Sequence, residues 1–284
     1  MQTDSILTHE PTDAQREDGT TVLEASGLRK AIDGKRVLDE VSLSVERGET
    51  YGVVGPNGAG KTTTFRCLLG LLPVDGGTVS LFGADPRVDD SVLERVGVVF
   101  EYETLQPTWP VRDAMAHACH AYDVSTDRIE PCLAEVGLES EAHDREFRDL
   151  SKGMQRKASV ATALLHEPDL LVLDEPMSGL DPGTQARMRD LIDDLRESGR
   201  TVVFSSHDLD HVQALCDRVA VIADGRTVVE TPLSKSVRVM DEPRPDIATE
   251  QAGAVYVVRD DDPPAEARTI DIEELYFSAL GVER

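Results

Sequence analysis

The sequence predicts an α/β fold, in which a core of parallel strands and helices carries an antiparallel β subdomain, an inserted helical subdomain and a short C-terminal extension. Three short segments are apolar on both faces, and each is followed at once by a loop and a helix-like stretch: residues 50–54, 170–173 and 201–204. Strands that are apolar on both faces are typical of parallel sheets covered by helices. We therefore expect these segments to be buried parallel strands of the core.

Before the core, alternation of apolar and polar residues predicts a half-buried, mainly antiparallel sheet. Val41, Leu43 and Val45 alternate with two serines, which is the period of a strand that turns one face to the core. The segments around Val22 and Val79 have a similar pattern, and we expect them to form edge strands of this sheet.

The remaining stretches define the predicted domain boundaries. Residues 111–150 have no strong strand pattern and favour helices, so we predict an inserted helical subdomain at about 102–155. Residues 1–20 are acidic and lack apolar periodicity, which predicts a mobile tail. The main domain is then expected at 21–230, and an accessory C-terminal extension at 231–284.

The extension ends in a helix whose two ends are both marked in the sequence. Asp271 is a typical N-cap residue, and Glu274 completes a capping box with it. Gly281 is placed to end the helix. We expect this helix to pack on its own domain, with an additional dimer contact as the alternative.

Composition and charge exclude several classes of protein. The 284 residues are 40% hydrophobic and 29% charged, as in globular proteins. The 29 Lys and Arg residues face 54 Asp and Glu residues, a net charge of −25, so we expect no nucleic-acid partner. Acidic residues spread along the whole chain favour a halophilic protein over an ordinary acidic one.

No apolar run approaches the ~18 residues that cross a bilayer, and no signal peptide is recognisable, so we expect a cytoplasmic location.

A glycine-rich segment after the first core strand carries the clearest chemical signal. Its pattern is GxxxxGK[ST], between a strand and a helix-compatible run. Glycines let consecutive backbone N–H groups surround phosphate oxygens, the lysine adds a full positive charge, and the hydroxyl can bind Mg²⁺. The sequence therefore predicts a P-loop NTPase core, whose nucleotide-binding residues are Gly55, Pro56, Asn57, Gly58, Ala59, Gly60, Lys61, Thr62 and Thr63.

The second half of the site follows the apolar segment 170–173. Asp174 stands at the tip of this strand, where it can hold Mg²⁺ together with Thr62, and Glu175 can accept a proton from an attacking water. The chain has no Asn-Lys-x-Asp motif for reading guanine, which disfavours a GTPase.

Three further motifs resemble those of the ABC ATPases. The segment 150–155, LSKGMQ, resembles the LSGGQ signature and lies upstream of Asp174 where that family places it. His207 looks like the switch histidine of the family, and the segment 178–181, SGLD, looks like its D-loop. With the two motifs above, the resemblance extends from Ile32 to His207 in family order.

The resemblance implies an enzyme that binds ATP and Mg²⁺ and hydrolyses ATP. Its subunits would pair head to tail, so that Ser151 and Gly153 of one protomer close over the ATP held by Lys61 of the other. A serine hydroxyl and helix N-terminal amides suit this task, because together they bind anions. In this reading Lys61, Glu175 and His207 are the catalytic residues.

Three departures from the family pattern concern the site. The aromatic residue that usually stacks on adenine is replaced by Ile32, which offers apolar contact alone. Glu101 stands where the family usually has Gln, and its carboxylate could approach Mg²⁺. Lys152 and Met154 alter the signature, and the LSKGM variant is similar to that of drug and antibiotic exporter ATPases.

The histidine at the switch position has a second interpretation. His207 and His211 are four residues apart and could bind zinc from one helix face. The intervening pattern has Asp208 where a metalloprotease has Glu, and no third ligand is evident. We therefore expect His207 to contact the γ-phosphate.

The resemblance also implies partners. One P-loop and one signature require two chains for two sites, either a homodimer or a heterodimer. A separate transmembrane permease would dock at the loop 101–111 and the helical subdomain. Trp109 is either an amphipathic anchor for this partner or part of the local core. The chain would then lie on the inner face of the membrane as an exporter subunit. The alternative is a soluble ABC ATPase, such as a cluster-assembly ATPase.

Overall fold

The computed structural model describes residues 21–102, 105–233, 237–242, 249–252, 255–258 and 267–281. The mobile tail predicted for residues 1–20 lies outside them. The strands in chain order are β1 (Thr21–Ile32), β2 (Lys35–Glu46), β3 (Thr50–Val54), β4 (Gly76–Leu81), β5 (Val96–Val99), β6 (Leu170–Leu173), β7 (Thr201–Ser206), β8 (Arg218–Ala223), β9 (Arg226–Pro232), β10 (Val237–Met240), β11 (Thr249–Ala252), β12 (Val255–Val258) and β13 (Arg268–Ile270). The α-helices are α1 (Lys61–Leu68), α2 (Val111–Tyr122), α3 (Ile129–Glu135), α4 (Lys152–Ala163), α5 (Pro182–Glu197), α6 (Leu209–Leu215) and α7 (Ile272–Leu280).

The central sheet has the order β5-β6-β7-β3-β8-β9. Its first five strands are parallel, and β9 pairs antiparallel with β8. Every residue of β3, β6 and β7 is buried, which confirms the parallel core strands predicted from their apolar faces. Because the carboxyl ends of parallel strands meet at one edge of a sheet, the loops after β3, β6 and β7 lie side by side.

The antiparallel sheet has the order β2-β1-β4, and one expectation about it was wrong. The strand around Val22 is β1, which lies in the middle rather than at an edge and pairs antiparallel with both neighbours. The strand around Val79 is β4 and does lie at an edge. Alternation shows which face of a strand is buried, but it carries no information about whether one or both edges of the strand are hydrogen-bonded.

The segment between β5 and β6 is helical, as its pattern predicts. It contains α2, α3 and α4, with short 3₁₀ turns at Thr126–Arg128, Ser140–Ala142 and Phe147–Asp149. Buried side chains of these helices, such as Met115 and Leu133, belong to the hydrophobic core that also contains Leu171 and Phe204 of the central sheet. The helical segment therefore packs against the central sheet through this shared hydrophobic core.

The C-terminal segment forms a second antiparallel sheet, of order β11-β12-β10-β13, and then α7. The predicted caps of α7 are confirmed, since the Asp271 carboxylate accepts a hydrogen bond from the Glu274 N–H at 2.7 Å, and Gly281 ends the helix at φ +67°. Leu275 is fully buried in the core cluster of the central sheet, so α7 packs on its own chain.

Candidate nucleotide-binding site

The glycine-rich loop joins β3 to α1, and two of its glycines are sterically required. A Cβ at Gly55 would lie 2.2 Å from the Ile222 carbonyl oxygen. A Cβ at Gly60 would lie 2.8 Å from the Leu38 side chain, and Gly60 has a φ of +106° that other residues rarely adopt. The absence of a side chain at these two positions lets the loop pass close to β2 and β8.

Lys61 begins α1 and is almost completely buried. Its Nζ donates a hydrogen bond to the Gly55 carbonyl at 2.8 Å and lies 3.2 Å from Oε1 of Glu175. A buried ammonium needs such partners. The lysine thus places a positive charge within the loop, beside the carboxylate that follows β6.

A chain of short hydrogen bonds links the start of α1, the loop after β6 and the end of β7. The Thr62 hydroxyl donates to Oδ2 of Asp174 at 2.6 Å, and the Ser205 hydroxyl donates to Oδ1 at 2.6 Å. Ser205 also accepts the backbone N–H of Glu175 at 2.9 Å. Hydroxyl and carboxylate oxygens are the ligands that Mg²⁺ prefers, so Thr62 and Asp174 form a donor pair that fits this ion.

Glu175 joins Lys61 to the predicted switch histidine. Its Oε2 lies 2.9 Å from Nδ1 of His207, while its Oε1 faces Lys61. The Glu175 backbone has a φ of +47°, a left-handed conformation that costs a non-glycine residue on the order of 1 kcal/mol and is often found at functional sites. The carboxylate is buried, whereas the His207 side chain is 51% exposed and open to a ligand.

Glu101 lines the same site as the glycine-rich loop, and residues after β6 and on helix α4 fix its position. Its Oε1 accepts a hydrogen bond from Ser178 at 3.3 Å. The Arg156 guanidinium donates to the carbonyls of Phe100 at 3.0 Å and of Glu101 at 3.4 Å. Burial lowers the pKa of Arg156. A hydrogen bond to Glu101 raises the pKa of the exposed Tyr102.

Some of these side chains, among them Lys61, Thr62 and Glu175, line a cavity of about 240 Å³. Its walls contain residues of the glycine-rich loop and the carboxylates of Glu101 and Glu175. They also include Val37 of β2. Sequence reasoning missed this residue, because an alternating pattern does not show which distant segment lies next to a strand. The lining residues are Val37, Pro56, Asn57, Gly58, Gly60, Lys61, Thr62, Thr63, Glu101 and Glu175.

Seven predicted residues are not among those that line this cavity. Four of them adjoin a lining residue in the chain or contact one through a hydrogen bond: Gly55, Ala59, Asp174 and His207. The other three are Ile32, Ser151 and Gly153. Ile32 ends β1 with 39% exposure and is not among the lining residues. Ser151 is the exposed N-cap of α4, where its hydroxyl accepts the Met154 N–H at 3.3 Å. Gly153 is buried against Thr184, whose Cγ2 would lie 2.4 Å from an added Cβ. Within one chain, Ser151 and Gly153 therefore do not contribute to the P-loop cavity.

Sequence reasoning also missed Ser205, Ser178 and Arg156. Ser205 left a weak signal, since it is a polar residue directly after the apolar run 201–204. Ser178 and Arg156 lie within the D-loop and just after the signature, but nothing local shows that they hold Glu101.

The comparisons with known proteins identify the family of this chain. The ABC transporter family matches residues 38–178. Nod factor export ATP-binding protein I of Burkholderia lata is 39% identical over 214 residues, which cover 72% of this chain and 68% of that protein.

Two solved structures show the same fold with a TM-score of 0.68. An ATP-binding subunit of an ABC transporter is 28% identical and covers 75% of this chain and 90% of its own. The protein cbiO1 from Clostridium perfringens, part of the ABC transporter complex cbiONQ, is 26% identical and covers 76% and 90%.

The fold and the site define a P-loop ATPase, with a glycine-rich loop, a buried lysine and two neighbouring carboxylates at one edge of a parallel sheet. The chain belongs to the ABC transporter ATP-binding family. It is the ATP-binding and ATP-hydrolysing subunit of a transporter.

Proposed function

We propose that this chain drives an exporter, together with a separate permease and a second ATPase subunit. The observation that carries its catalytic part is the convergence of three separate elements on the Glu175 carboxylate. Its Oε1 lies 3.2 Å from Nζ of Lys61, and its Oε2 lies 2.9 Å from Nδ1 of His207. The export direction is supported by the 39% identity to a Nod factor export ATP-binding protein. The relatives named above are transporter components, so a soluble ABC ATPase is not favoured.

The residues present fit ATP with Mg²⁺. The ammonium of Lys61 and the backbone amides of residues 55–63 would bind the phosphates, and Thr62 and Asp174 would hold the metal. Bound Mg²⁺ supplies positive charge to the phosphate oxygens. Glu101, which lines the same cavity, could join the metal ligands.

Glu175 would act as the general base. Its carboxylate is buried and oriented by Lys61 and His207, so it can accept the proton of a water that attacks the γ-phosphate. Because His207 is half-exposed beside Glu175, its ring can contact the γ-phosphate while Nδ1 holds the base in position.

The signature residues support a shared site between two subunits. Ser151 is exposed at the N-terminus of α4, where the hydroxyl and the helix dipole favour an anion. Since it does not line the P-loop cavity of its own chain, the phosphate that it binds would belong to a second protomer. This second protomer is either an identical chain or a related one.

The permease would meet the loop that follows β5. Among the described residues no helix has the length and apolar character needed to cross a bilayer. Trp109 is 38% exposed and Tyr102 is 86% exposed, so this loop presents aromatic surface of the kind that anchors interfaces. Docking there would hold the chain on the inner face of the membrane.

The test uses Glu175→Gln, which keeps the size of the side chain but cannot accept a proton. We expect turnover to fall roughly 10²–10⁴-fold while ATP still binds. Light scattering should show a dimer with ATP and a monomer with ADP. A second change, Ser151→Arg, should abolish the dimer, whereas Ser140→Arg adds the same charge to another exposed serine and should not. A monomer in both nucleotides, or a dimer that survives Ser151→Arg, would contradict the shared site.

A further inference from the structure

A cleft of about 900 Å³ separates the loop after β7 from the C-terminal helix α7, and the ATPase reaction does not account for it. Such a volume is in the range of small-molecule sites, which is roughly 300–1,000 Å³. One wall comes from the start of α6 and the other from β13 and α7. The lining residues are His207, Asp208, Leu209, Asp210, Gln213, Ile270, Asp271, Ile272, Glu273, Tyr276 and Phe277.

The charged groups of this cleft have one sign. Asp208, Asp210 and Asp271 bring three carboxylates to the cleft, and none of its described lining residues is Lys or Arg. The fourth acidic lining residue, Glu273, takes part in a further interaction of its own. Asp208 and Asp271 each use one oxygen to cap a helix, at 3.0 Å from the Asp210 N–H and 2.7 Å from the Glu274 N–H. Like charges that line one cleft repel each other, and a bound cation would relieve this repulsion.

The other surface of the cleft is apolar and aromatic. Leu209, Ile270 and Ile272 lie beside Tyr276 and Phe277, whose rings are 5.7 Å apart at 76°. Aromatic faces next to carboxylates are the chemistry that recognises organic cations, because the ring quadrupole attracts positive charge while the ring buries apolar surface. A hydrated inorganic ion would not use this apolar surface.

We propose that the cleft binds an amphipathic organic cation and that its occupancy restrains His207. The His207 side chain lines the cleft while its Nδ1 contacts Glu175 at 2.9 Å. A ligand seated against the exposed face of this ring limits its movement and slows ATP hydrolysis. The effect on turnover rests on the proposed function, whereas the binding itself does not.

The experiment measures binding of tetraphenylphosphonium to the full chain by calorimetry, without nucleotide. We expect one saturable site per chain, weakened about tenfold by Phe277→Ser, which removes an aromatic wall. Asp210→Asn should weaken it as well. Leu280→Ser, on the same helix outside the cleft, and Asp190→Asn, on the exposed face of α5, are matched controls and should bind as the parent does. Melting curves verify that each variant is folded.

Equal affinity in the parent and all variants would overturn the proposal. So would binding of several cations per chain that about 1 M KCl removes, because an unspecific acidic surface behaves in that way. Saturating tetraphenylphosphonium should also lower the ATP turnover of the parent, and this inhibition should be lost in Phe277→Ser. Unchanged turnover in the parent would overturn the link to His207. A chain that binds the cation at this cleft but hydrolyses no ATP would contradict the proposed function alone.

Discussion

At the scale of single residues, the site is organised around two buried charges of opposite sign. The Lys61 ammonium lies 3.2 Å from Glu175 and is hydrogen-bonded to the Gly55 carbonyl. A buried ion pair contributes little net stability but is costly to break, because the remaining partner is left buried and uncompensated. The pair therefore fixes the two side chains against each other, as the proposed roles of phosphate ligand and base require, rather than serving mainly as a stabilising contact.

The first prediction concerns Lys61. Lys61→Ala removes the fixed cation of the phosphate loop and should weaken ATP binding by at least about tenfold, the effect of one charge-assisted hydrogen bond. Titration with a fluorescent ATP analogue measures this. Lys157→Ala is the control, since Lys157 is bonded to the Gly137 carbonyl away from the cavity. Affinities that agree between Lys61→Ala and the parent would show that the phosphate site is wrongly assigned.

The second prediction is that Glu101 tolerates Gln. The amide oxygen of Gln can still accept from Ser178, and Arg156 binds the backbone carbonyl, which the change leaves in place. Turnover should stay within about threefold of the parent, since at most one modest hydrogen bond changes. The affinity for ATP should be unchanged or higher, because the change removes a negative charge beside the phosphates. A loss as large as that of Glu175→Gln, measured in the same ATPase assay, would make Glu101 essential.

At the scale of elements, the side chain of His166 in the loop after α4 packs on α2. The His166 ring packs on Tyr122 with centroids 4.3 Å apart, and its Nε2 lies 3.2 Å from the Val96 carbonyl oxygen. Its Nδ1 is buried without a hydrogen-bond partner among the described residues. A proton on Nδ1 would be an unsatisfied donor, and burial accordingly lowers the pKa of His166 below its ordinary value of 6.5.

The third prediction follows from this lowered pKa. The folded state binds the His166 proton less readily than the unfolded state, so this residue favours folding above its ordinary pKa of 6.5, and the benefit is lost as the pH falls through the lower folded pKa. His166→Gln keeps a donor for the Val96 carbonyl but does not titrate. Denaturant unfolding at about pH 7.5 and about pH 5.5 should show a smaller loss of stability in this variant than in the parent.

A matched control isolates that effect. His120→Gln removes an exposed imidazole of α2 without touching the Val96 carbonyl. If His166→Gln and the parent lose the same stability between the two pH values, the buried ring is not the cause.

At the scale of the whole molecule, charge is the dominant property. With 54 acidic and 29 basic residues, the folded chain brings like charges together at its surface and loses stability through their repulsion. The ion pairs of the described residues are mostly exposed, such as Arg29 with Glu40, and exposed pairs contribute only about 0–1 kcal/mol each. They do not offset the excess of carboxylates.

The fourth prediction is that KCl stabilises the chain well beyond physiological strength. Raising KCl from about 0.1 M to about 2 M shortens the screening length from about 10 Å to below 3 Å, so the melting temperature should increase throughout. KCl is preferable to a sulfate salt, because sulfate stabilises folded proteins in general through its exclusion from their surface. A melting temperature that stays flat across this range would argue against adaptation to high salt and would leave the ATPase assignment untouched.

The sequence by itself determined the features whose physics is local. A phosphate loop needs consecutive backbone amides, a lysine and a hydroxyl at set positions, so the spacing alone predicts residues 55–63 as such a loop. The structure places residues 55–60 between β3 and α1, as this prediction requires. The same holds for the caps of α7 at Asp271 and Gly281, and for the buried parallel strands, whose apolar faces are visible in four or five adjacent residues.

Only the tertiary structure decided which distant residues meet. Ser205 donates to Asp174 across 31 positions, and Arg156 reaches back 56 positions to the Phe100 carbonyl. The middle place of β1 and the cleft that joins His207 to α7 are likewise contacts between separate elements. Such contacts arise when elements pack to bury a common core, and the free energy of that packing belongs to the whole fold rather than to any segment that could be examined in isolation.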